Sequence, residues 1–191
     1  MRILTILIAV LMFAGPVQAW QLVGSGITSG STCSSLSSDS YDSEGAASSY
    51  AVSNAARYAL GAIYPITSNI SVCRVGVFIK KVGSPSSTIT AKIYDLSEGF
   101  PNNLLGTSST TLGAADVATT LGWEYFDFSS PVALTSGNSY AIVIYASALG
   151  DSSNYYTPAY NSEQTGKALI GYTSSWAIVV NDNYMSMRIY Y

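Results

Sequence analysis

The stretch Ile70–Lys81, with the sequence ISVCRVGVFIKK, decides the fold class of this chain. Its apolar side chains recur at every second position, at Cys73, Val75, Val77 and Ile79. The positions between them include Arg74, Gly76 and Lys80. A period of two residues is typical of a β-strand that buries one face and leaves the other to solvent. The stretch therefore predicts a half-buried strand.

The same period recurs along the chain after Ala55. The alternating runs are Ile89–Tyr94, Tyr125–Phe128, Ala168–Tyr172 and Met185–Tyr191. Tyr140–Tyr145, YAIVIY, is apolar at every position, which is typical of a central strand buried on both faces. Gly, Pro and Asn separate the runs as turn residues, and no window shows a long helical stripe. The chain is predicted to be all-β, as an antiparallel two-sheet sandwich.

Composition excludes several classes of function. Only 10% of the 191 residues are charged, against about 25% in typical domains. There is no histidine, so a Ser-His-Asp or Cys-His nucleophile system is excluded. A net charge of −3 with eight basic residues excludes a broad nucleic-acid footprint. Glu124 and Asp127 project to opposite faces of one strand, so they do not form the carboxylate pair of a glycosidase, and no catalytic residue is predicted.

Residues 1–19 have the three-part pattern of a secretory signal peptide. Arg2 precedes an apolar run from Ile3 to Ala14, and Val17 and Ala19 supply the small residues of a cleavage site before Trp20. A buried N-terminal segment and an uncleaved anchor are the alternatives. The pattern predicts a secreted protein with no membrane span after cleavage.

Residues 20–54 are rich in Ser and Gly and predict an arm or loop region that precedes a sandwich domain at 55–191. Because export leads to an oxidising compartment, Cys33 and Cys73 are expected to form a disulfide, with two separate buried thiols as the alternative. Strand addition to a neighbouring copy is one use of such an arm. Its apolar contacts would be Trp20, Leu22, Val23 and Ile27. Packing within the same chain is the other expectation.

Three segments carry a resemblance to a known class. They are IYDLSEGFPNNLLG at Ile93–Gly106, the W-x-x-F-x-F strand at Trp123–Phe128, and LTSGNSYAIVI at Leu134–Ile144. Followed by Trp176 and the last strand, they resemble the jelly-roll, carbohydrate-binding-like modules of secreted surface proteins and phage adhesion proteins. The resemblance covers residues 55–191. It implies a jelly-roll β-sandwich that acts in recognition or structure rather than in catalysis.

A calcium site is a candidate among the polar loops. Asp39, Asp42 and Glu44 offer the oxygen ligands that Ca²⁺ prefers, and the segment Asn181–Asn183 offers more. Modules of the resembled class often hold a structural calcium, whereas Asx-turns are the simpler explanation of these residues. No other cofactor is expected.

Aromatic residues gather in the last third of the chain. The candidate ligand-binding residues, for a glycan or a protein, are Tyr155, Tyr156, Tyr160, Tyr172 and Trp176. Tyr and Trp cover the C–H faces of sugars at low entropic cost, and the phenol adds a hydrogen bond. The same composition is typical of protein-recognition surfaces and of ordinary packing.

Two function classes follow from these features. The first is a secreted, non-enzymatic structural or adhesive protein that assembles with copies of itself or other surface proteins into a layer or filament. The second is a lectin-like module that binds glycans. The sequence favours the first, because its low charge and its abundant Ser, Thr and Tyr permit wide contacts between copies.

Overall fold

Strands and turns make up residues 33–41, 50–161, 168–181 and 183–191, which are the residues that the computed structural model describes. Within these ranges there is no helix. The first six strands are β1 (Ala59–Pro65), β2 (Ile70–Val82), β3 (Ile89–Ser97), β4 (Phe100–Thr107), β5 (Gly122–Leu134) and β6 (Ser139–Ala146). The last six are β7 (Tyr155–Pro158), β8 (Tyr160–Asn161), β9 (Ala168–Tyr172), β10 (Trp176–Asn181), β11 (Tyr184–Met185) and β12 (Met187–Tyr190).

All the strand pairs are antiparallel. The larger sheet has the order β10-β9-β1-β6-β3-β4, and the smaller one has the order β12-β2-β5. β7 pairs with the end of β2, and β8 pairs with β11. β6 lies between β1 and β3, which confirms that YAIVIY is a central strand.

The two sheets share one hydrophobic core. The alternate residues Val75, Val77 and Ile79 of β2 are fully buried, as their spacing predicts. They belong to the same cluster as Ile142 and Ile144 of the larger sheet. Full burial of such a side chain contributes about 1.5–3 kcal/mol. The chain is therefore all-β with antiparallel sheets, in a β-sandwich-like arrangement.

Part of the predicted arm or loop region covers the edge of the smaller sheet. Ser37 and Tyr41 donate backbone hydrogen bonds to the carbonyls of Ile189 and Met187 in β12, at 2.8 and 2.7 Å. The Cys33–Cys73 disulfide, predicted from the sequence, fastens this segment to β2. The described part of the region thus packs within its own chain. The predicted arm contacts Trp20, Leu22, Val23 and Ile27 lie outside the described residues, as does the predicted signal peptide.

Replacing both cysteines by serine is expected to destabilise the fold and loosen this edge. The disulfide closes a separation of 40 residues, and a loop of that size is worth about 3–4 kcal/mol in the chain-entropy model. Chemical denaturation would measure the loss. Hydrogen exchange should accelerate at the amides of Ser37 and Tyr41, but much less at Val52, which pairs with Tyr156. If the substitution accelerated exchange equally at all three amides, a local role of the disulfide at this edge would be contradicted.

Candidate functional site

The larger sheet has a second apolar cluster, on the face opposite the shared core. Its fully buried members are Ala141, Val143 and Ile170. The partly buried side chains packed against them are Ile63, Tyr94, Leu96 and Trp176. Within each strand, these residues alternate with the residues that face the shared core. The larger sheet therefore has apolar side chains on both of its faces.

The larger sheet curls so that this outer face is concave. In the strand order, three strands lie between β10 and β3, so a flat sheet would hold them about 19 Å apart at the usual strand spacing. Nevertheless, the ring of Trp176 at the start of β10 lies 5.8 Å from the ring of Tyr94 on β3. The edge strands β10 and β4 also approach within 8 Å between Cα atoms. Both contacts require strong curvature.

Five aromatic rings form a continuous row on this side of the molecule. We call it the aromatic ribbon; it consists of Tyr58, Tyr145, Tyr172, Trp176 and Tyr94. Successive centroids are 6.5, 6.2, 5.1 and 5.8 Å apart, within the range of favourable aromatic pairs. All five side chains are only partly buried, so each ring keeps some surface open to solvent.

Small residues on β1 allow the ribbon to cross the middle of the sheet. Tyr172 and Tyr145 both stand opposite Ala59, from the two strands on either side of β1. Because Ala59 carries only a methyl group, the two rings meet above it. At the next position on this face, a Cβ on Gly61 would collide with the carbonyl oxygen of Ile142 and with Val143. The small size of Ala59 and Gly61 therefore leaves space above β1 for the rings of the ribbon.

Lys92 on β3 supplies a positive charge to the ribbon. Its Nζ lies 3.8 Å from the centroid of the Tyr145 ring, which is a favourable cation–π distance. Partial burial lowers the pKa of Lys92. Burial also raises the pKa of Tyr94 and of Tyr145, with a further contribution from the neighbouring phenols. The raised pKa values favour the neutral phenols of Tyr94 and Tyr145 beside the amino group of Lys92.

The structure separates the five aromatic residues that the sequence singled out. Tyr172 and Trp176 lie together in the ribbon. Tyr156 is fully buried in the shared core and donates a hydrogen bond to the carbonyl of Ser87 at 2.8 Å, so its ring is not open to a surface ligand. Tyr160 packs against Tyr50, at 5.5 Å between centroids. Tyr155 lies on β7, opposite Val82.

Three ribbon tyrosines and Lys92 were absent from the sequence-based candidates. Tyr94 and Tyr145 occupy alternate positions to buried residues in strands that the sequence did predict, and this phase is a signal that they face outward. Tyr58 precedes β1 and gives no comparable signal. Which outward residues meet depends on the strand order, and period two does not encode it.

The residues of the predicted calcium site are only partly within the described chain. Asp39 is buried, and its two carboxylate oxygens accept hydrogen bonds from the hydroxyl and the amide of Thr67, at 2.7 and 3.0 Å. Asp42 and Glu44 lie outside the described residues, as does Asp182. No group of three or more metal-ligating side chains occurs in the ranges that are described. Calcium binding therefore stays a prediction.

The acidic residues considered for catalysis have separate surroundings. Asp127 pairs with Arg74 at 2.5 Å on the outer face of the smaller sheet. Glu124 stands opposite Val77, which is buried in the core. Burial raises the pKa of Glu124, and the negative charge of Asp116 adds to the effect. The two carboxylates thus project in different directions, as the sequence indicates.

An open cleft of about 570 Å³ adjoins the end of the larger sheet. Its lining includes Asp95, Leu96, Leu105 and Asn138. Tyr140 is the one aromatic residue of the lining, and its side chain is almost fully buried. Because the cleft offers little ring surface for stacking, the aromatic ribbon is the better candidate for a recognition site.

Comparison with known proteins adds no relative. No protein-family model matches the chain, and no curated protein is similar to it in sequence. Among the described residues, no helix has the length and apolar character needed to cross a membrane.

Tyr156→Phe is expected to affect stability and leave ligand binding unchanged. The substitution removes the hydroxyl that hydrogen-bonds the Ser87 carbonyl and leaves that carbonyl without its partner, which costs about 1–3 kcal/mol. Urea denaturation would measure the change. Tyr155→Phe is the matched control, because this neighbouring side chain is only partly buried. An undiminished stability of Tyr156→Phe would contradict the assignment of Tyr156 to the core.

Proposed function

We propose that this chain is a secreted, non-enzymatic adhesive protein whose jelly-roll sandwich binds carbohydrate through the aromatic ribbon. The observation that carries the proposal is the ribbon itself, with Trp176 and Tyr172 at its centre. Export is supported by the signal-peptide pattern of residues 1–19 and by the Cys33–Cys73 disulfide. A non-enzymatic role is supported by a sequence that has no histidine.

Ring chemistry favours a saccharide as the ligand. A pyranose presents flat patches of C–H groups, and these stack on an aromatic ring with little loss of side-chain entropy. The hydroxyls of Tyr94, Tyr145 and Tyr172 add donors and acceptors at the edges of such a stack. Because the five rings are continuous, the ribbon offers stacking positions for more than one sugar unit of a chain.

The curvature of the larger sheet also supports the proposal. Trp176 contacts both Tyr172 and Tyr94, so its ring is held from two sides. Tyr172 in turn contacts Tyr145. A surface whose rings already touch pays little ordering cost when a ligand binds. Concavity further increases the area that a chain-like ligand can bury.

Substituting Trp176 should weaken glycan binding. A glycan array would first identify a ligand for the protein without its predicted signal peptide. Trp176→Ala is then expected to weaken binding about five- to thirtyfold, because stacking on one ring is worth about 1–2 kcal/mol. Trp176→Phe should retain most of the affinity, since it keeps a ring at the position. Isothermal titration calorimetry would measure both.

Trp123→Ala is the matched control for this experiment. Trp123 is also a partly buried tryptophan, but it lies in the smaller sheet, against Phe78 and Arg188. The proposal requires that Trp123→Ala binds like the unaltered protein, provided that thermal melts show both variants folded. Failure of the protein to bind any glycan on the array would refute a lectin-like role.

Assembly into a layer or filament is a second candidate function, and one edge of the larger sheet supports it. β4 pairs with β3 alone among the described strands. It carries no charged residue and exposes two consecutive leucines, Leu104 at 52% and Leu105 at 40%. An uncharged edge with exposed leucines is a template for association with another copy. Pro101 is the one residue of β4 that opposes such pairing.

Charging this edge should weaken self-association. Sedimentation velocity over a range of concentrations would test whether the protein forms oligomers. The double variant Leu104→Lys, Leu105→Lys is expected to stay monomeric at concentrations about tenfold higher, because the lysines repel a second copy at the edge. Leu149→Lys is the control, since Leu149 is exposed at 37% outside any strand. A protein that is monomeric at all concentrations would contradict the assembly function.

A further inference from the structure

The ammonium group of Lys92 distinguishes the aromatic ribbon from a neutral sugar platform. Its Nζ lies on the Tyr145 ring, which is the second ring of the ribbon. Along β3, Tyr94 follows Lys92 on the same face, two residues later. A ligand that stacks on Tyr145 or Tyr94 would therefore lie close to the positive charge of Lys92.

No carboxylate neutralises this charge in the part of the chain that the structure describes. There, the one ion pair joins Arg74 to Asp127 on the smaller sheet. Asp95, the nearest acidic residue along β3, instead accepts hydrogen bonds from the amide and the side chain of Asn103, at 2.6 and 2.9 Å. Burial lowers the pKa of Lys92, the direction expected for an amino group without a nearby acid.

Lys92 has no counter-ion among the described residues, although acidic residues outnumber basic ones in the sequence. The sequence has eleven acidic and eight basic residues, so opposite charges are available. Burying part of an ammonium group without a counter-ion lowers stability, and the cation–π contact offsets only a portion of that cost. A bound anion that hydrogen-bonds the ammonium group would recover the remainder.

We propose that the aromatic ribbon selects acidic saccharides, with Lys92 binding the carboxylate or sulfate of a sugar unit that stacks on the neighbouring tyrosines. This inference rests on the proposed carbohydrate-binding function and names its substrate class. Lys92 binds the charge, whereas the rings bind the C–H faces. Since an ammonium group is a compact point charge, it can bind either a carboxylate or a sulfate.

A set of matched ligands tests this assignment. The probes are trigalacturonic acid, its uncharged methyl ester, and a sulfated galactose trisaccharide, each titrated by calorimetry at low and high salt. The unaltered protein should bind the acid about tenfold more tightly than its ester, as a charge-assisted hydrogen bond implies. High salt should reduce this preference, because it screens an exposed charge pair. Preference for the acid or for the sulfated trisaccharide identifies which anion the site takes.

Lys92→Gln and Lys92→Arg are the deciding variants. Lys92→Gln should lose the preference for the acid over the ester, so that the ratio of the two affinities falls to about one. Lys92→Arg keeps the charge and should retain the preference. Lys80→Gln is the control, since Lys80 is a partly buried lysine of β2, in the smaller sheet. Thermal melts would show whether each variant is folded.

The outcomes separate the two proposals. Equal binding of acid and ester, weakened in Trp176→Ala, would leave the carbohydrate function standing and overturn the assignment to Lys92. Retention of the preference in Lys92→Gln would also overturn it. Absence of binding to any of the three saccharides and to every glycan of the array would refute the carbohydrate function and this inference together.

Discussion

The larger sheet has to bury apolar side chains on both of its faces, and the rest of the structure depends on this constraint. β6 illustrates it, because Ile142 and Ile144 face the shared core while Ala141 and Val143 face the other way. The smaller sheet covers the first pair. Nothing of comparable size covers the second pair among the described strands. The sheet instead curls until its own edge brings Trp176 over the second cluster.

The proposed recognition surface follows from this solution. A side chain that closes an apolar cluster at the surface has one face on the cluster and another in solvent, and a large aromatic ring meets both demands. Trp176 packs against the cluster and also contacts Tyr172 and Tyr94. The same position of the Trp176 ring therefore covers the cluster and completes the ribbon. This explains why the rings lie on the concave face rather than in loops.

Local pattern predicts much of this fold and little of the site. The period of two places Val75, Val77 and Ile79 in the core correctly, and the turn glycines Gly99 and Gly137 do adopt positive φ angles. Strand phase is a local property, so a single sequence contains it. The meeting of Trp176 with Tyr94 depends on the order of strands and on curvature, which are set by the packing of distant segments. For the same reason Tyr156, which looks like its neighbour Tyr155 in sequence, lies in the core.

Each sheet has a contact between a cation and an aromatic ring, and the two contacts differ in their surroundings. On the smaller sheet, Arg188 lies 4.0 Å from the Trp123 ring and donates to the hydroxyl of Tyr125. The absence of a side chain at Gly76 leaves room for the Tyr125 ring, which a Cβ would approach at 2.9 Å.

On the smaller sheet, the guanidinium group of Arg188 packs against the aromatic rings. The ion pair of Arg74 with Asp127 beside them carries no net charge. On the larger sheet, Lys92 has the Tyr145 ring on one side and no described carboxylate within ion-pair distance. A guanidinium group stacks and forms several hydrogen bonds at once, whereas an ammonium group keeps donors directed outward. The first arrangement is complete as it stands and stabilises the fold. The second keeps hydrogen-bonding capacity for an anion, and this difference supports our proposal that recognition occurs on the concave face.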